Sequence, residues 1–150
     1  MAGDAKLEAL YQELILDHYR RPRNRGTLEG ADARVEHRNP LCGDEIDLAL
    51  AMEGTRIRLV RATARGCSLS VAATSMLTER APGCTAADLE ALRARLGRLL
   101  SGDTDAGRDE ALGEFRAFAG VARVPARRRC VELVFEAAER AMAEAGGGRR

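Results

Sequence analysis

Residues 45–53 read Glu-Ile-Asp-Leu-Ala-Leu-Ala-Met-Glu and form the clearest strand pattern in the sequence. Its larger apolar side chains occupy every second position: Ile46, Leu48, Leu50 and Met52. Alternation with a period of two is typical of a β-strand with one buried face. Gly54-Thr55 then has the form of a hairpin turn. We therefore predict a second strand over residues 56–64, antiparallel to the first, with a bulge or a change of exposure where the alternation slips at Val60.

Outward from this hairpin, a weaker strand is predicted at residues 33–38, and the remaining apolar residues recur with helical spacing. The first helix carries the stripe Leu7, Leu10, Tyr11, Leu14, Ile15 and His18, and should end before Pro22. Further helices are predicted from a cap at Ser68 or Ser70 to about residue 80, at 86–100 behind a Thr85–Asp88 capping box, at 110–119, and after Pro125. Residues 101–109 are expected to form a loop. This order predicts an α+β fold, with helices packed on one face of a small antiparallel three-stranded sheet.

Length and composition narrow the possible functions. The 150 residues are 45% hydrophobic and carry a net charge of +1, so we expect one domain over residues 1–150, with a disordered tail at 146–150. A near-neutral chain has no overall field that would attract nucleic acid or an anionic membrane, and neither is expected as a partner. The first residues lack the apolar core of a signal peptide, which predicts a cytoplasmic protein.

Four cysteines are the residues most able to carry chemistry, and in a reducing compartment they favour metal binding or thiol reactivity over disulfides. Cys42 and Asp44 lie two residues apart, around a glycine, in a turn before the best strand, so both side chains can reach one ion. Cys67 follows Gly66 at a strand-to-helix junction, where helix amide groups favour the thiolate. Cys130 lies in the first turn of the last helix, on its inward stripe.

The spacing of these cysteines does not by itself distinguish a metal site from buried structural thiols. Cysteine is a common small core residue, and no Cys-x-x-Cys pair is present. If the last helix crosses the end of the sheet, Cys42, Asp44, Cys67 and Cys130 converge. Thiolate and carboxylate ligands together suit Zn²⁺.

The flanking residues carry a more specific pattern. Its segments are Leu-Tyr at 10–11, Ile-Leu-Asp-His-Tyr at 15–19, Pro-Arg-Asn at 22–24, Asn-Pro-Leu-Cys-Gly-Asp at 39–44, Gly-Cys-Ser-Leu-Ser at 66–70, Ser-Met-Leu-Thr at 75–78, Gly-Val at 120–121, Pro-Ala-Arg at 125–127, and Cys130. In these segments the chain resembles the U-type iron–sulfur cluster-assembly family, which includes IscU, the N-terminal domain of NifU, and SufU. The resemblance is weak at residues 85–118.

Two features of the sequence resemble the SufU branch. IscU-type scaffolds carry a histidine directly before the third cysteine, and Arg129 occupies that position here. The 62 residues between Cys67 and Cys130 exceed the IscU spacing by about one helix, an insertion within residues 86–118. SufU-type proteins are understood as zinc-dependent sulfurtransferases, whereas IscU proteins assemble a 2Fe-2S cluster.

The resemblance implies a zinc site formed by Cys42, Asp44, Cys67 and Cys130, with Cys42 accepting sulfur from the persulfide of a PLP-dependent cysteine desulfurase of the SufS type. A downstream cluster scaffold would receive the sulfur. Arg127 either orients the site or is a solvated surface charge. Two alternatives stay open: an IscU-like scaffold that holds a 2Fe-2S cluster, and a purely structural zinc domain. Cys84 has no counterpart in the pattern and is interpreted as an incidental thiol, and His18 as a structural hydrogen-bonding residue.

Overall fold

The computed structural model describes residues 2–41 and 43–147. Four α-helices and three strands are joined by three short 3₁₀ helices in these residues. In chain order the elements are α1 (Ala2–Arg20), β1 (Ala33–Arg38), β2 (Glu45–Glu53), β3 (Arg56–Arg65), α2 (Ser68–Arg80), α3 (Ala86–Leu100), η1 (Thr104–Arg108), η2 (Glu110–Arg123), η3 (Pro125–Arg127) and α4 (Arg128–Gly147). The predicted α+β fold with a three-stranded antiparallel sheet is confirmed.

The sheet has the order β1-β2-β3, with both neighbouring pairs antiparallel. Leu48 and Leu50 of the central strand are fully buried, as the alternation predicts. The two-residue turn at Gly54 connects β2 to β3, and the predicted bulge is present. The bulge lies at Arg58, two residues before Val60. Ala51 of β2 pairs with Leu59 of β3, but the next residue, Met52, pairs with Ile57, so the pairing skips Arg58. Leu59 is consequently only half-buried, and Val60 enters the core.

Helices α2 and α4 cover one face of the sheet: α4 packs against β1 and β2, and α2 packs against β3 and α4. Phe115 of η2 lies at the centre of an aromatic cluster, with its ring centroid 5.5 Å from that of Phe135 of α4 and 6.2 Å from that of Phe118. All three rings are almost fully buried. Full burial of such a side chain contributes about 1.5–3 kcal/mol, so this cluster attaches η2 firmly to the core.

Four predictions about the helices need correction. Cys67 is the N-cap of α2, so neither Ser68 nor Ser70 has that position. Residues 104–108 form a 3₁₀ helix within the predicted loop, and the helix predicted at 110–119 is a 3₁₀ helix that reaches Arg123 and bends at Gly113, where φ is 53°. On α1, only the C-terminal part of the predicted apolar stripe packs against the core. Leu7 and Leu10, at its N-terminal end, are 46% and 65% exposed.

The C-terminal helix α4 includes Gly146 and Gly147, which were expected to belong to a disordered tail. Residues 148–150, the rest of that predicted tail, lie outside the described residues. Helix α4 buries Cys130, as predicted, and with it the residues of the same stripe: Leu133, Val134, Ala137, Ala138, Ala141 and Met142. Among the described residues, no helix combines the length and apolar character needed to cross a bilayer.

Candidate metal centre

The fold brings Asp44, Cys67 and Cys130 together, although Cys67 lies 23 positions after Asp44 and Cys130 lies 63 positions after Cys67. Asp44 lies just before β2, Cys67 lies between β3 and α2, and Cys130 lies in the first turn of α4. One carboxylate oxygen and the two sulfur atoms all lie within 4.8 Å of one another. The predicted convergence of these three side chains is therefore observed.

Asp44 is held by a tight loop that begins at Asn39. The Asn39 backbone N–H donates to the Asp44 carbonyl oxygen at 2.8 Å, and the Gly43 N–H donates to the Asn39 carbonyl at 2.9 Å. The Asn39 side-chain oxygen accepts the Leu41 N–H at 3.1 Å. Asn39 is 3% exposed and Asp44 is 2% exposed, so the ends of this loop are anchored in the protein interior.

Gly66 makes room for the Asp44 carboxylate at the end of β3. Its φ of 137° lies in the region that favours glycine, and a Cβ on this residue would lie 2.7 Å from Cγ of Asp44. The backbone N–H of Cys67 donates to Oδ1 of Asp44 at 3.0 Å, and the Cys67 thiol donates to Oδ2 at 3.6 Å. The glycine thus places the carboxylate directly on the N-terminus of α2, where a negative charge is favoured.

Cys130 is 6% exposed, and its burial raises the pKa of its thiol well above the usual range. The neighbouring Cys67 and Asp44 side chains raise this pKa further. The metal-free centre therefore keeps a proton on Cys130 near neutral pH. A bound cation removes that proton, because a cysteine ligand coordinates as thiolate.

The donor atoms fit a zinc ion. Zn–S bonds of about 2.3 Å place the sulfur atoms of a tetrahedral site about 3.8 Å apart, which is within the span of this group. Two sulfurs and one oxygen leave one of four tetrahedral positions for a further ligand. Cys42, which the resemblance implies as a further ligand, lies outside the described residues.

The other predicted site residues have separate positions. Arg127 ends η3, is exposed, and lines a groove with Ser68 and Leu69, the two residues after Cys67. Arg129 is exposed and lies 3.9 Å from Glu136, on the outer side of α4. Cys84 is half-buried between α2 and α3, and its thiol donates to the Arg80 carbonyl oxygen at 3.5 Å.

Neither histidine belongs to the metal centre. Nε2 of His37 contacts Glu136 at 2.8 Å, and Nδ1 of His18 contacts the hydroxyl oxygen of Ser75 at 2.7 Å. The group of Asp44, Cys67 and Cys130 therefore contains no imidazole among the residues that the structure describes.

Sequence reasoning gave no structural role to Gly66 or Asn39, although both lie in the recognised segments. The structural role of Gly66 could have been recognised from its position between a predicted strand and Cys67, which precedes a predicted helix. Asn39 could have been suspected as a turn residue, because asparagine followed by proline favours a turn.

Comparison with known proteins agrees with this geometry. The model of the NifU-like N-terminal domain matches residues 10–131, which include all three converging side chains. The chain belongs to the NifU-like N-terminal domain family. The resemblance to the U-type cluster-assembly family is thus confirmed.

Two relatives in this family match most of the chain. The protein named zinc-dependent sulfurtransferase SufU, from Bacillus subtilis, is 34% identical over 149 residues, which cover 99% of each chain. The protein named iron–sulfur cluster assembly scaffold protein IscU, from Streptococcus pyogenes, is 33% identical over 138 residues, with coverage of 92% and 86%. The relatives of this chain therefore include a protein named as a sulfurtransferase and one named as a scaffold, and family membership alone does not distinguish the two functions.

A solved structure of lower sequence identity shows the same fold. The N-terminal part of a NifU-like protein from Brucella abortus superposes with a TM-score of 0.83 over 94% of this chain and 97% of that one, at 23% identity. The sheet and its covering helices are thus common to chains that differ in most of their residues.

Proposed function

We propose that this chain is a zinc-dependent sulfurtransferase of iron–sulfur cluster assembly, acting as a single domain over residues 1–150. The observation that carries the proposal is the convergence of Asp44, Cys67 and Cys130 in a chain that matches a zinc-dependent sulfurtransferase over its whole length. Zn²⁺ would be held by these three residues and Cys42. When bound, zinc stabilises the thiolate form of its cysteine ligands near neutral pH.

Cys42 is the proposed sulfur acceptor because both of its neighbours in the chain, Leu41 and Gly43, are exposed. Its neighbour Leu41 is 85% exposed, whereas Cys130 and Asp44 are buried. The Cys42 thiolate attacks the terminal sulfur of a persulfide on the donor protein. The donor S–S bond breaks, the donor cysteine leaves as a thiolate, and the sulfur remains on Cys42 as a new persulfide. No external oxidant or reductant is required.

The proposed donor is a PLP-dependent cysteine desulfurase of the SufS type, and a downstream cluster scaffold would take the sulfur from Cys42. We place both reactions in the cytoplasm, where reducing conditions keep these thiols available. Arg123 and Arg127 are exposed beside the site and line the groove next to Ser68 and Leu69. Charges at such a rim mainly accelerate association with an acidic partner and make the rate depend on salt.

A scaffold role is the second candidate, supported by the IscU protein that is 33% identical to this chain. Cys42, Cys67 and Cys130 would then bind a 2Fe-2S cluster. The position of Arg129 favours sulfur transfer, because an exposed arginine stands where IscU-type scaffolds carry a histidine. Reconstitution with iron and sulfide separates the candidates: a stable brown cluster with little zinc would support the scaffold.

The decisive experiment is a cysteine desulfurase assay with the zinc-loaded protein, the metal-stripped protein, and the variants Cys42→Ala and Cys84→Ala. We expect the zinc-loaded protein and Cys84→Ala to stimulate sulfur release from cysteine. Cys42→Ala should keep zinc on its remaining ligands but give no stimulation, and removal of zinc should abolish stimulation. Full stimulation by Cys42→Ala would reject it as the acceptor.

A further inference from the structure

A second group of metal-ligating side chains lies away from the cysteines, where α1, α2 and η2 meet. It consists of His18, Glu79 and Glu114, one residue from each element. The imidazole is fully buried, whereas the glutamate side chains are 45% and 48% exposed. One donor atom from each residue lies within 4.8 Å of the other two. The buried histidine thus faces two carboxylates that are open to solvent.

The distances in this group are those between ligands of one ion. Nε2 of His18 lies 3.3 Å from both carboxylate oxygens of Glu114 and 4.0 Å from Oε1 of Glu79. A charge-assisted hydrogen bond is usually about 2.7–2.9 Å and directed at one oxygen. Nitrogen and oxygen ligands at about 2.0–2.1 Å from a tetrahedral ion are about 3.3 Å apart. The equal distances to both Glu114 oxygens therefore resemble a bidentate ligand more than a direct hydrogen bond.

Ser75 orients the imidazole toward the two carboxylates. Nδ1 of His18 is 2.7 Å from the Ser75 hydroxyl oxygen, which also accepts the Arg23 backbone N–H at 2.9 Å. A histidine ligand in metal sites usually donates its other ring N–H to an oxygen, which fixes the tautomer. In the tautomer that donates Nδ1–H to Ser75, the lone pair of Nε2 faces the carboxylates, and a cation between them would remove the repulsion.

The charges in this group also favour a cation. Within the described part of the chain, His18 is the one basic side chain that forms an ion pair with Glu79 or Glu114. The nearby Arg80 guanidinium donates instead to the carbonyl oxygen of Ala111. Two carboxylates thus share one imidazole, and a divalent ion would balance their excess negative charge.

From these contacts we propose that His18, Glu79 and Glu114 form a second metal site, which binds a divalent first-row transition ion such as Mn²⁺ or Zn²⁺. One imidazole nitrogen and carboxylate oxygens suit these ions, whereas the thiolates of the first centre select zinc over manganese. An ion at this position ties η2, through Glu114, to α1 and α2. The second site therefore stabilises the attachment of the segment between α3 and α4.

Manganese titration of the full chain tests this site without interference from the first centre. The thiolate site is loaded with zinc, Mn²⁺ is added, and free Mn²⁺ is followed by its electron paramagnetic resonance signal. We expect one equivalent of Mn²⁺ to bind. Binding should be weakened by at least about tenfold in Glu79→Gln/Glu114→Gln, because the carboxylate ligands are lost. The matched control Glu90→Gln/Glu110→Gln removes the same charge from exposed positions and should bind like the wild type.

Thermal unfolding gives a second measurement. Mn²⁺ should raise the unfolding temperature of the wild-type protein and of the control, but not that of Glu79→Gln/Glu114→Gln. Equal Mn²⁺ affinity in the two double variants, or no binding to the wild type at millimolar Mn²⁺, would overturn the proposal. The variant Cys67→Ser/Cys130→Ser should still bind Mn²⁺, so failure of the proposed zinc centre and failure of this second site are distinguished.

Discussion

Gly66 and Asp44 are in direct contact at the metal centre, and the contact leaves no room for a side chain on Gly66. A Cβ placed there would lie 2.7 Å from Cγ of Asp44 and closer still to Oδ1. The same carboxylate oxygen accepts the backbone N–H of Cys67 at 3.0 Å. Any side chain at position 66 must therefore displace the carboxylate from the start of α2.

We predict that Gly66→Ala removes metal binding while the protein remains folded. The displaced Asp44 loses its place beside Cys67 and Cys130, and the strained φ costs about 1–3 kcal/mol of folding stability. Zinc content by mass spectrometry and the free energy of unfolding in urea measure the two effects. Gly26→Ala is the matched control, because Gly26 also has a positive φ, 115°, but no atom lies within 4 Å of its Cβ position. A Gly66→Ala variant with full zinc content would contradict the prediction.

Local signals in the sequence predicted the regular elements well. The alternation at residues 45–53 gave the central strand with the observed bounds, and the Thr85–Asp88 capping box gave the start of α3. The errors arose where tertiary packing or backbone geometry overrides side-chain preference. Cys67 caps α2 without a side-chain hydrogen bond, so no serine was needed there. The positive φ of Gly113, which bends η2, has no signature in hydrophobic periodicity.

The metal centre was harder to predict from the sequence than the fold. Cys67 and Cys130 are 63 residues apart, and only the packing of α4 across the sheet brings them together. The family pattern supplied that information for the first centre. Nothing comparable marked Glu79 and Glu114, because the proximity of Glu79 to His18 depends on the packing of α1 against α2, and that of Glu114 on the irregular path of η2. Whether residues far apart in sequence meet in space depends on the topology of the fold, so their spacing along the chain does not predict it.

Two serines on α2 should respond in opposite ways to substitution by alanine. The Ser75 hydroxyl contacts His18 and accepts the Arg23 N–H, so Ser75→Ala leaves buried polar groups without a partner and should cost about 1–3 kcal/mol. Ser70 is fully buried, and its hydroxyl has no hydrogen-bond partner among the described residues. Ser70→Ala should therefore be neutral or stabilising in the metal-free protein. Urea unfolding of both variants measures this, and equal destabilisation would show that the assignment is wrong.

Cys84 should react slowly with alkylating reagents, although it is partly exposed. Burial raises the pKa of its thiol, and the nearby Asp88 carboxylate raises it further. The thiolate is the reactive form, so iodoacetamide should modify Cys84 more slowly than free cysteine, at a rate that rises with pH. Asp88→Asn should accelerate the reaction by removing a negative charge. Mass spectrometry of the zinc-loaded protein gives the rates, and a rate equal to that of free cysteine would count against the prediction.

The capping box of α3 should make a part of the stability depend on pH. The Thr85 N–H donates to Oδ2 of Asp88 at 2.9 Å, and the Asp88 N–H donates to Oγ1 of Thr85 at 3.1 Å. Hydrogen bonds from the Thr85 backbone and side chain lower the pKa of Asp88 in the folded protein. Because the folded pKa lies below the unfolded value of about 3.9, the stabilisation by this carboxylate is complete above that pH. It is lost as the pH falls through the folded pKa.

Thr85→Ala should therefore cost about 1 kcal/mol at neutral pH, through loss of the N-cap. Asp88→Asn should also destabilise the protein at neutral pH, but its difference from the wild type should shrink as the pH falls below about 4. Urea unfolding at several pH values gives both results. The exposed Asp105 serves as the control, because Asp105→Asn removes the same charge outside the capping box. A difference between Asp88→Asn and the wild type that stays constant from neutral to acidic pH would show that the carboxylate does not stabilise this helix start.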